Sequence, residues 1–334
     1  MMKKLLEKLL AGEDLTVREA ETLLELLASG AVPPTQAGAV LTALRMKGES
    51  MSELLGMARL LRRHAACIHC GARECIDIVG TGGDGGISFN VSTTSAFVAA
   101  GAGAVVAKHG NRAVSGKCGA ADVLEELGVP LNEDADKLAA SVRDNGIAFL
   151  FARNLHPVMA KVAPIRRDLG IRTIFNLVGP LSNPAHAVYM VVGVYNERLV
   201  KPFAEVLRNL GVKSGLVVHS ADGLDEISSL ALTRAAVLSG DGIREITIDP
   251  MEVLGDPALC TGSLAGGDKT ENAGILLDIL GGRDHTARRG AVLLNAAAIC
   301  CAAGLGDSIR SCIPLAAKSI DSGSAMEKLE RLKA

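Results

Sequence analysis

Leucines at the start of the chain recur at helical spacing. Leu5, Leu6, Leu9 and Leu10 fall on one face of a short helix. Thr16 and Glu19 form a capping-box pattern ahead of Leu23, Leu24 and Leu27, and Gly30 closes that run. Pro33 and Pro34 open a third segment that Gly48 stops. Ser50 and Glu53 cap a fourth that ends near His64. The first 66 residues therefore predict four amphipathic helices and no strand. A helical unit this small needs a further surface for its apolar faces, either the rest of the chain or a second copy.

At Glu74 the pattern changes. CIDIVG (Cys75 to Gly80), AVVAK (Ala104 to Lys108), AFLF from Ala148, VYMVVGV from Val188, GLVVH from Gly215 and REITID from Arg244 are short β-rich runs. Helical stretches such as Val91–Gly101, Ala120–Leu127 and Glu197–Leu210 separate most of them. Strands alternating with helices predict an α/β domain with a mostly parallel central sheet flanked by helices, and ligands at the carboxyl ends of its strands. Pro180, Asn183 and Pro184 mark an irregular crossing that returns toward the helices. The expected division is a helical domain over 1–70, joined by part of about 166–186, and an α/β domain over 71–334.

Composition narrows the function. Lys and Arg total 35 against 37 Asp and Glu, a net charge of -2, which offers no basic surface for nucleic acid or membrane. Aromatic residues are 2% with no Trp, which argues against base-stacking platforms. Eight cysteines in a chain too long to need staples read as reduced thiols in a cytoplasm. The opening MMKKLLEKLLAGED is interrupted by charge and lacks a small-residue cleavage site, so it is not read as a signal peptide. The longest apolar run, Gly290 to Gly306, contains Asn295 with many Ala and Gly, and reads as a buried helix rather than a membrane span.

Three loops carry candidate chemistry. GTGGDGG (Gly80 to Gly86) lies between a strand and the helix starting near Asn90 to Ser92. Its glycines let successive N–H groups face one anion, the helix aims its positive end there, and Ser88, Asn90, Ser92 and Thr93 add donors. KHGNRAVSG (Lys108 to Gly116) brings Lys108, His109 and Arg112 beside it as a second wall of a phosphate pocket, or alternatively forms a solvated basic turn. DGLDEIS (Asp222 to Ser228) holds Asp225 and Glu226, which with Ser92 suit Mg²⁺, or else form an acidic capping turn. Arg166 could fork onto a carboxylate or pair with Asp168. Cys67, Cys70 and Cys75, with His64 and His69, lack a second ligand pair and read as a thiol-bearing linker.

Taken in order, GTGGDGGISFNVST, KHGNRAVSGKCGAADVLEELGV, APIRRDLGIRTIFNLVGPLSNPA and DGLDEIS resemble the anthranilate phosphoribosyltransferase family, and the likeness covers nearly the whole chain. The resemblance implies a pentosyltransferase of tryptophan biosynthesis that moves the phosphoribosyl group of phosphoribosyl pyrophosphate (PRPP) to the amine of anthranilate, with Mg²⁺ as cofactor. It implies PRPP binding by Gly80, Gly83, Asp84, Ser88, Asn90, Val91, Ser92 and Thr93, by Lys108, His109, Gly110, Asn111, Arg112, Ala113, Val114, Ser115 and Gly116, and by Ala120. It places Mg²⁺ on Ser92, Asp225 and Glu226, and anthranilate on Gly80, Asn111, His156 and Arg166. Lys108, His109 and Arg166 take positioning and electrostatic roles, with no firm general base. The family pairs as a homodimer through the N-terminal helices.

The chain departs from the family pattern at Gly116 and Ala120, where members often carry Ser, and at Phe151-Ala152-Arg153, where Phe-Ala-Pro is usual. A pyrimidine nucleoside phosphorylase shares the architecture and a glycine loop but would not need the acidic pair. A non-catalytic nucleic-acid binder would need a basic surface.

Overall fold

The computed structural model describes residues 1–71, 74–83, 88–113 and 118–334, and the chain divides into two compact units. Asp84, Val114, Ser115 and Gly116 lie outside the described residues.

The first unit joins Met1–Cys67 to Ala152–His186. Helices α1 (Met2–Leu10), α2 (Val17–Ser29), α3 (Pro34–Lys47) and α4 (Met51–His64) occupy the segments predicted from leucine spacing and caps. Both capping boxes form. Glu19 N–H donates to Thr16 Oγ1 at 3.3 Å, and Ser50 N–H donates to Glu53 Oε2 at 2.8 Å. Glu53 is fully buried because it does more than cap: it also accepts the Leu15 N–H at 2.9 Å and the Lys47 ammonium at 3.2 Å. Gly56 lets α4 lie directly on α2, since a Cβ there would fall 2.3 Å from the Val17 carbonyl oxygen. The returning segment begins at Ala152, earlier than the expected 166, and contributes the helices Ala163–Leu169 and Ile174–Val178. Arg62 of α4 ties it down by donating to the Leu181 carbonyl at 2.7 Å.

The second unit, Ile68–Phe151 with Ala187–Ala334, is built on a seven-stranded sheet. Its strands are β1 (Ile76–Gly80), β2 (Val106–Gly110), β3 (Ile147–Phe151), β4 (Tyr189–Gly193), β5 (Ser214–Ser220), β6 (Thr233–Ser239) and β7 (Gly242–Ile248). The order is β3-β2-β1-β4-β5-β6-β7. The first five strands run parallel and the last two add an antiparallel hairpin. Successive crossovers go from β1 outward to β3, then the chain turns back to β4 on the other side. The resulting switch point lies between β1 and β4.

Helices α5 (Val91–Gly101), α6 (Ala120–Glu126) and α7 (Ala135–Asn145) belong to the crossovers, and four longer helices follow the sheet. The apolar run near the C-terminus is the helix Ala287–Ala302, buried along nearly its whole length. No helix among the described residues is long and apolar enough to cross a membrane.

Two strand expectations change. β6 is not among the runs predicted above, and β2 starts two residues later than AVVAK suggests, at Val106. Lys108, His109 and Gly110 are therefore strand residues, not part of the loop that follows.

Candidate active site

The carboxyl ends of β1 and β4 meet the turn that follows β5. Gly80 and Gly193 are paired across the two strands. A Cβ on Gly193 would sit 1.6 Å from the Asp225 carbonyl oxygen, and one on Gly80 would sit 2.2 Å from Asp225 Oδ2. Only glycine admits the turn at this depth. The glycine loop then reaches up to it, with Gly82 N–H donating to Asp225 Oδ2 at 2.7 Å. Gly82 and Gly83 both have positive φ, at 63° and 113°. Thr81 pins the base of this loop, donating its N–H to the Gly193 carbonyl at 2.9 Å and accepting the Tyr195 N–H at 3.0 Å.

The acidic turn is held from beneath. Ser228 Oγ donates to Asp222 Oδ2 at 2.6 Å and Ser228 N–H donates to Thr233 Oγ1 at 3.3 Å. Asp222 is thus occupied inside the turn. Asn295, fully buried in the Ala287–Ala302 helix, accepts the Ile227 N–H at 3.1 Å and donates to the Ile227 carbonyl at 2.8 Å. With these restraints, Asp225 is buried and Glu226 half-buried beside the start of α5. Ser92 donates both its N–H, at 3.2 Å, and its hydroxyl to Glu226 Oε1. Enclosure of the Glu226 carboxyl, together with the neighbouring Asp225, pushes its pKa up to about 8.

Asn90 precedes α5 without a side-chain cap bond. Its Oδ1 accepts from Asn272 Nδ2 at 3.0 Å, and Asn272 Oδ1 accepts the Gly267 N–H at 2.8 Å. Val91 and Thr93 are buried in the first turn, and Ser88 bridges to Ala265. Asn272 escaped the sequence reading, since it lies outside the four motifs that carry the resemblance.

The basic stretch is turned inward. Lys108 is buried and its ammonium donates to the Ile78 carbonyl at 2.8 Å. Burial lowers its pKa, against the pull of Asp77 and Glu226. His109 is buried, and its N–H donates to Asp77 Oδ1 at 3.0 Å. Arg112 pairs with Asp122 at 2.9 Å and with Glu125 at 2.8 Å, and stands 5.7 Å over the Phe151 ring centroid. Those carboxylates hold the guanidinium above its usual pKa range. In this structure Lys108 and Arg112 are engaged by groups of the protein, because one lies within the sheet and the other faces the acidic first two turns of α6. Asp122 also accepts the Ala113 and Gly119 N–H groups at 3.0 and 2.9 Å, which shapes the loop around Asn111 and brings Gly110 and Ala120 together.

The acceptor candidates fall in both units, Gly80 and Asn111 in one and His156 and Arg166 in the other. Arg166 lies on the Ala163–Leu169 helix, 5.6 Å over the Phe175 ring centroid, and makes no ion pair among the described residues. Burial lowers its pKa. Asp168 pairs weakly with Arg167 instead, at 3.9 Å. His156 is buried, which drives its pKa down to about 4 and keeps the ring neutral. None of the eight cysteines forms a disulfide, and Cys70 and Cys75 are in contact at 3.6 Å. No group of three or more His, Cys, Asp or Glu among the described residues could hold a metal ion.

Comparison with known proteins places this geometry. Residues 3–65 match the helical bundle domain of the glycosyl transferase family, and 72–326 match its a/b domain. The chain is 47% identical over 334 residues to the anthranilate phosphoribosyltransferase of Anaeromyxobacter dehalogenans strain 2CP-1, covering 100% of this chain and 98% of the relative. It is 45% identical over 331 residues to that of Rubrobacter xylanophilus, covering 99% and 96%. The crystal structure of the Thermus thermophilus enzyme matches with a TM-score of 0.90 at 40% identity, over 98% of both chains. The Saccharomyces cerevisiae enzyme in complex with PRPP and Mg matches with a TM-score of 0.85 at 28% identity, over 99% and 96%. Alignments at this level span both units, so the chain belongs to the anthranilate phosphoribosyltransferase family.

Proposed function

We propose that the pocket at the β1/β4 switch point binds PRPP and transfers its phosphoribosyl group to the amine of anthranilate, releasing pyrophosphate. The observation that carries this reading is the acidic turn seated on Gly80 and Gly193 and tied to the glycine loop through Gly82. The donor set suits Mg²⁺: two carboxylates and a hydroxyl, all hard oxygen ligands, with too few protein ligands to cage an ion and so room for water and phosphate oxygens. The raised pKa of Glu226 beside Asp225 marks a pair of acids that a divalent cation would hold ionised. Asp225, Glu226 and Ser92 would hold Mg²⁺, which when bound neutralises charge on the departing pyrophosphate. The yeast relative's complex with PRPP and Mg supports the donor and the metal, and another yeast structure holds 4-fluoroanthranilate.

Breaking the bond at C1 leaves positive charge on the ribose and negative charge on pyrophosphate. The aryl amine attacks as a neutral group and loses its proton afterwards, so the residues act by positioning and field rather than as a base. Loop amides and the start of α5 would hold phosphate oxygens. Lys108 adds positive charge from within the sheet. Asn111 orients the acceptor, buried neutral His156 lines its path, and Arg166 pairs with its carboxylate. A homodimer through the helices would cover exposed Leu10 and Met46, and cysteines without disulfides suit a cytoplasmic protein.

Loss of anthranilate fluorescence in the presence of PRPP and Mg²⁺ tests the reaction. Phosphorolysis of a pyrimidine nucleoside with no anthranilate consumed would replace it with the phosphorylase reading. Arg166→Ala should raise the anthranilate KM by about tenfold or more while the PRPP KM holds. Equal weakening of both removes Arg166 from the acceptor site.

A further inference from the structure

β1 treats its two neighbours unequally. It pairs with β4 from Ile76↔Tyr189 through Gly80↔Gly193, but with β2 at Ile76↔Val106 alone. β2 itself stays paired with β3 along its whole length. Continued from that register, a regular parallel ladder would have the His109 N–H donate to the Ile78 carbonyl. Here the pairing of β1 with β2 stops short of that bond. The His109 N–H donates to Asp77 Oδ1 at 3.0 Å, and the Ile78 carbonyl accepts the Lys108 ammonium at 2.8 Å. Two side chains engage these groups where the pairing ends, and both residues are buried, Asp77 at 0% and Lys108 at 5% exposure.

A chain shaped for stability alone would keep the backbone bond and fill these positions with aliphatic residues. Charges at this depth carry a desolvation penalty that a plain ladder avoids. The gap also has a definite place. It opens toward the carboxyl ends, where Thr81–Gly83 leaves β1 and Asn111–Ala113 leaves β2.

We propose that Asp77 is a positioning residue for donor binding: with Lys108 it wedges the carboxyl ends of β1 and β2 apart, so that the two loops depart far enough from each other to admit a sugar diphosphate between them. This rests on the reading of the pocket as a PRPP site. Asp77 touches no substrate in this account. It acts through the backbone of His109 and the placement of Lys108.

The test is calorimetric titration of PRPP with Mg²⁺, alongside steady-state kinetics and thermal melts, on the unmodified chain, Asp77→Leu and Asp77→Asn. Asp77→Leu removes the acceptor for the His109 N–H and lets the ladder close, and it should raise both the PRPP Kd and the PRPP KM by about tenfold or more while the anthranilate KM holds within about twofold. Asp77→Asn keeps an oxygen for that N–H and should recover part of the lost affinity. A folded Asp77→Leu variant whose PRPP Kd stays within about twofold of the parent overturns the wedge, as does an Asp77→Asn variant no better than Asp77→Leu. If Asp77→Leu does not fold, Asp77→Asn decides alone: a raised PRPP KM with an unchanged anthranilate KM supports the wedge, and a parallel change in both overturns it. Failure of both variants to fold assigns Asp77 to stability and also overturns it. If the unmodified chain itself does not bind PRPP, the underlying reading of the pocket is what fails.

Discussion

Two stretches of opposite charge lie at the carboxyl edge of the sheet, and they keep their charges in different ways. After β5 the acidic turn leaves Asp225 and Glu226 side by side, because its own backbone is satisfied by Asn295 and Thr233 and its third acid is taken by Ser228. Along and after β2 the basic stretch is engaged within the fold, Lys108 by a carbonyl and Arg112 by two carboxylates. The acids are held by neutral donors and crowd each other, with buried Lys108 pulling on Glu226, whereas Arg112 sits against two carboxylates. A charged motif points more strongly to a ligand where burial and a like charge crowd it than where carboxylates already neutralise it.

Removing the acids should break this contrast most severely. Asp225→Asn with Glu226→Gln should lower kcat/KM by about 10²–10³-fold and abolish the response to Mg²⁺, as read from initial rates over a metal series. The same double variant should melt no lower than the parent without metal, because it replaces an acid pair whose ionisation burial and proximity already oppose. A retained Mg²⁺ dependence would move the metal to other ligands.

Asn295→Ala sharpens the comparison from below. It strands the Ile227 N–H and carbonyl in a buried site, and should destabilise the chain by about 2–5 kcal/mol in denaturant melts while raising the Mg²⁺ concentration needed for half activity. Full Mg²⁺ sensitivity in a folded Asn295→Ala chain would show that the turn stands without its support.

The smallest effect belongs to the basic side. Arg112→Ala removes ion pairs in which the Arg side chain is 39% exposed, and should change stability by less than about 1 kcal/mol. Its Mg²⁺ requirement should match the parent's. A large loss of stability would mean that the Asp122–Arg112–Glu125 cluster holds up the loop as firmly as Asn295 holds the acidic turn.

Much of this architecture was legible locally. Capping boxes at Thr16 and Ser50 act over three residues, so the helical bundle could be read almost to its boundaries. The parallel strands showed as apolar runs because both of their faces are covered. β6 was missed because Thr233–Ser239 is a short, Ala-containing run interrupted by Arg234, and its identity comes from pairing with β5 and β7. β2 was placed too early because His109 and Gly110 look like loop residues, and only the end of the β1–β2 pairing explains the polar groups there. Asp225 and Glu226 stood out as neighbours in sequence. Asn295 could not, since it serves a backbone 68 residues away. The partners of Arg112 were in plain view at Asp122 and Glu125, but helix geometry was needed to turn them toward it.

The paired glycines at the ends of β1 and β4 also make the sheet its own gauge. A slip of one residue between these strands would bring Val79 or Val192 under the acidic turn and invert which faces are covered. The turn could then not descend, and its two carboxylates would never assemble beside α5. Assembly of the acidic pair is thus a certificate of correct strand alignment, and a misregistered molecule would lack the pair rather than carry it in the wrong place.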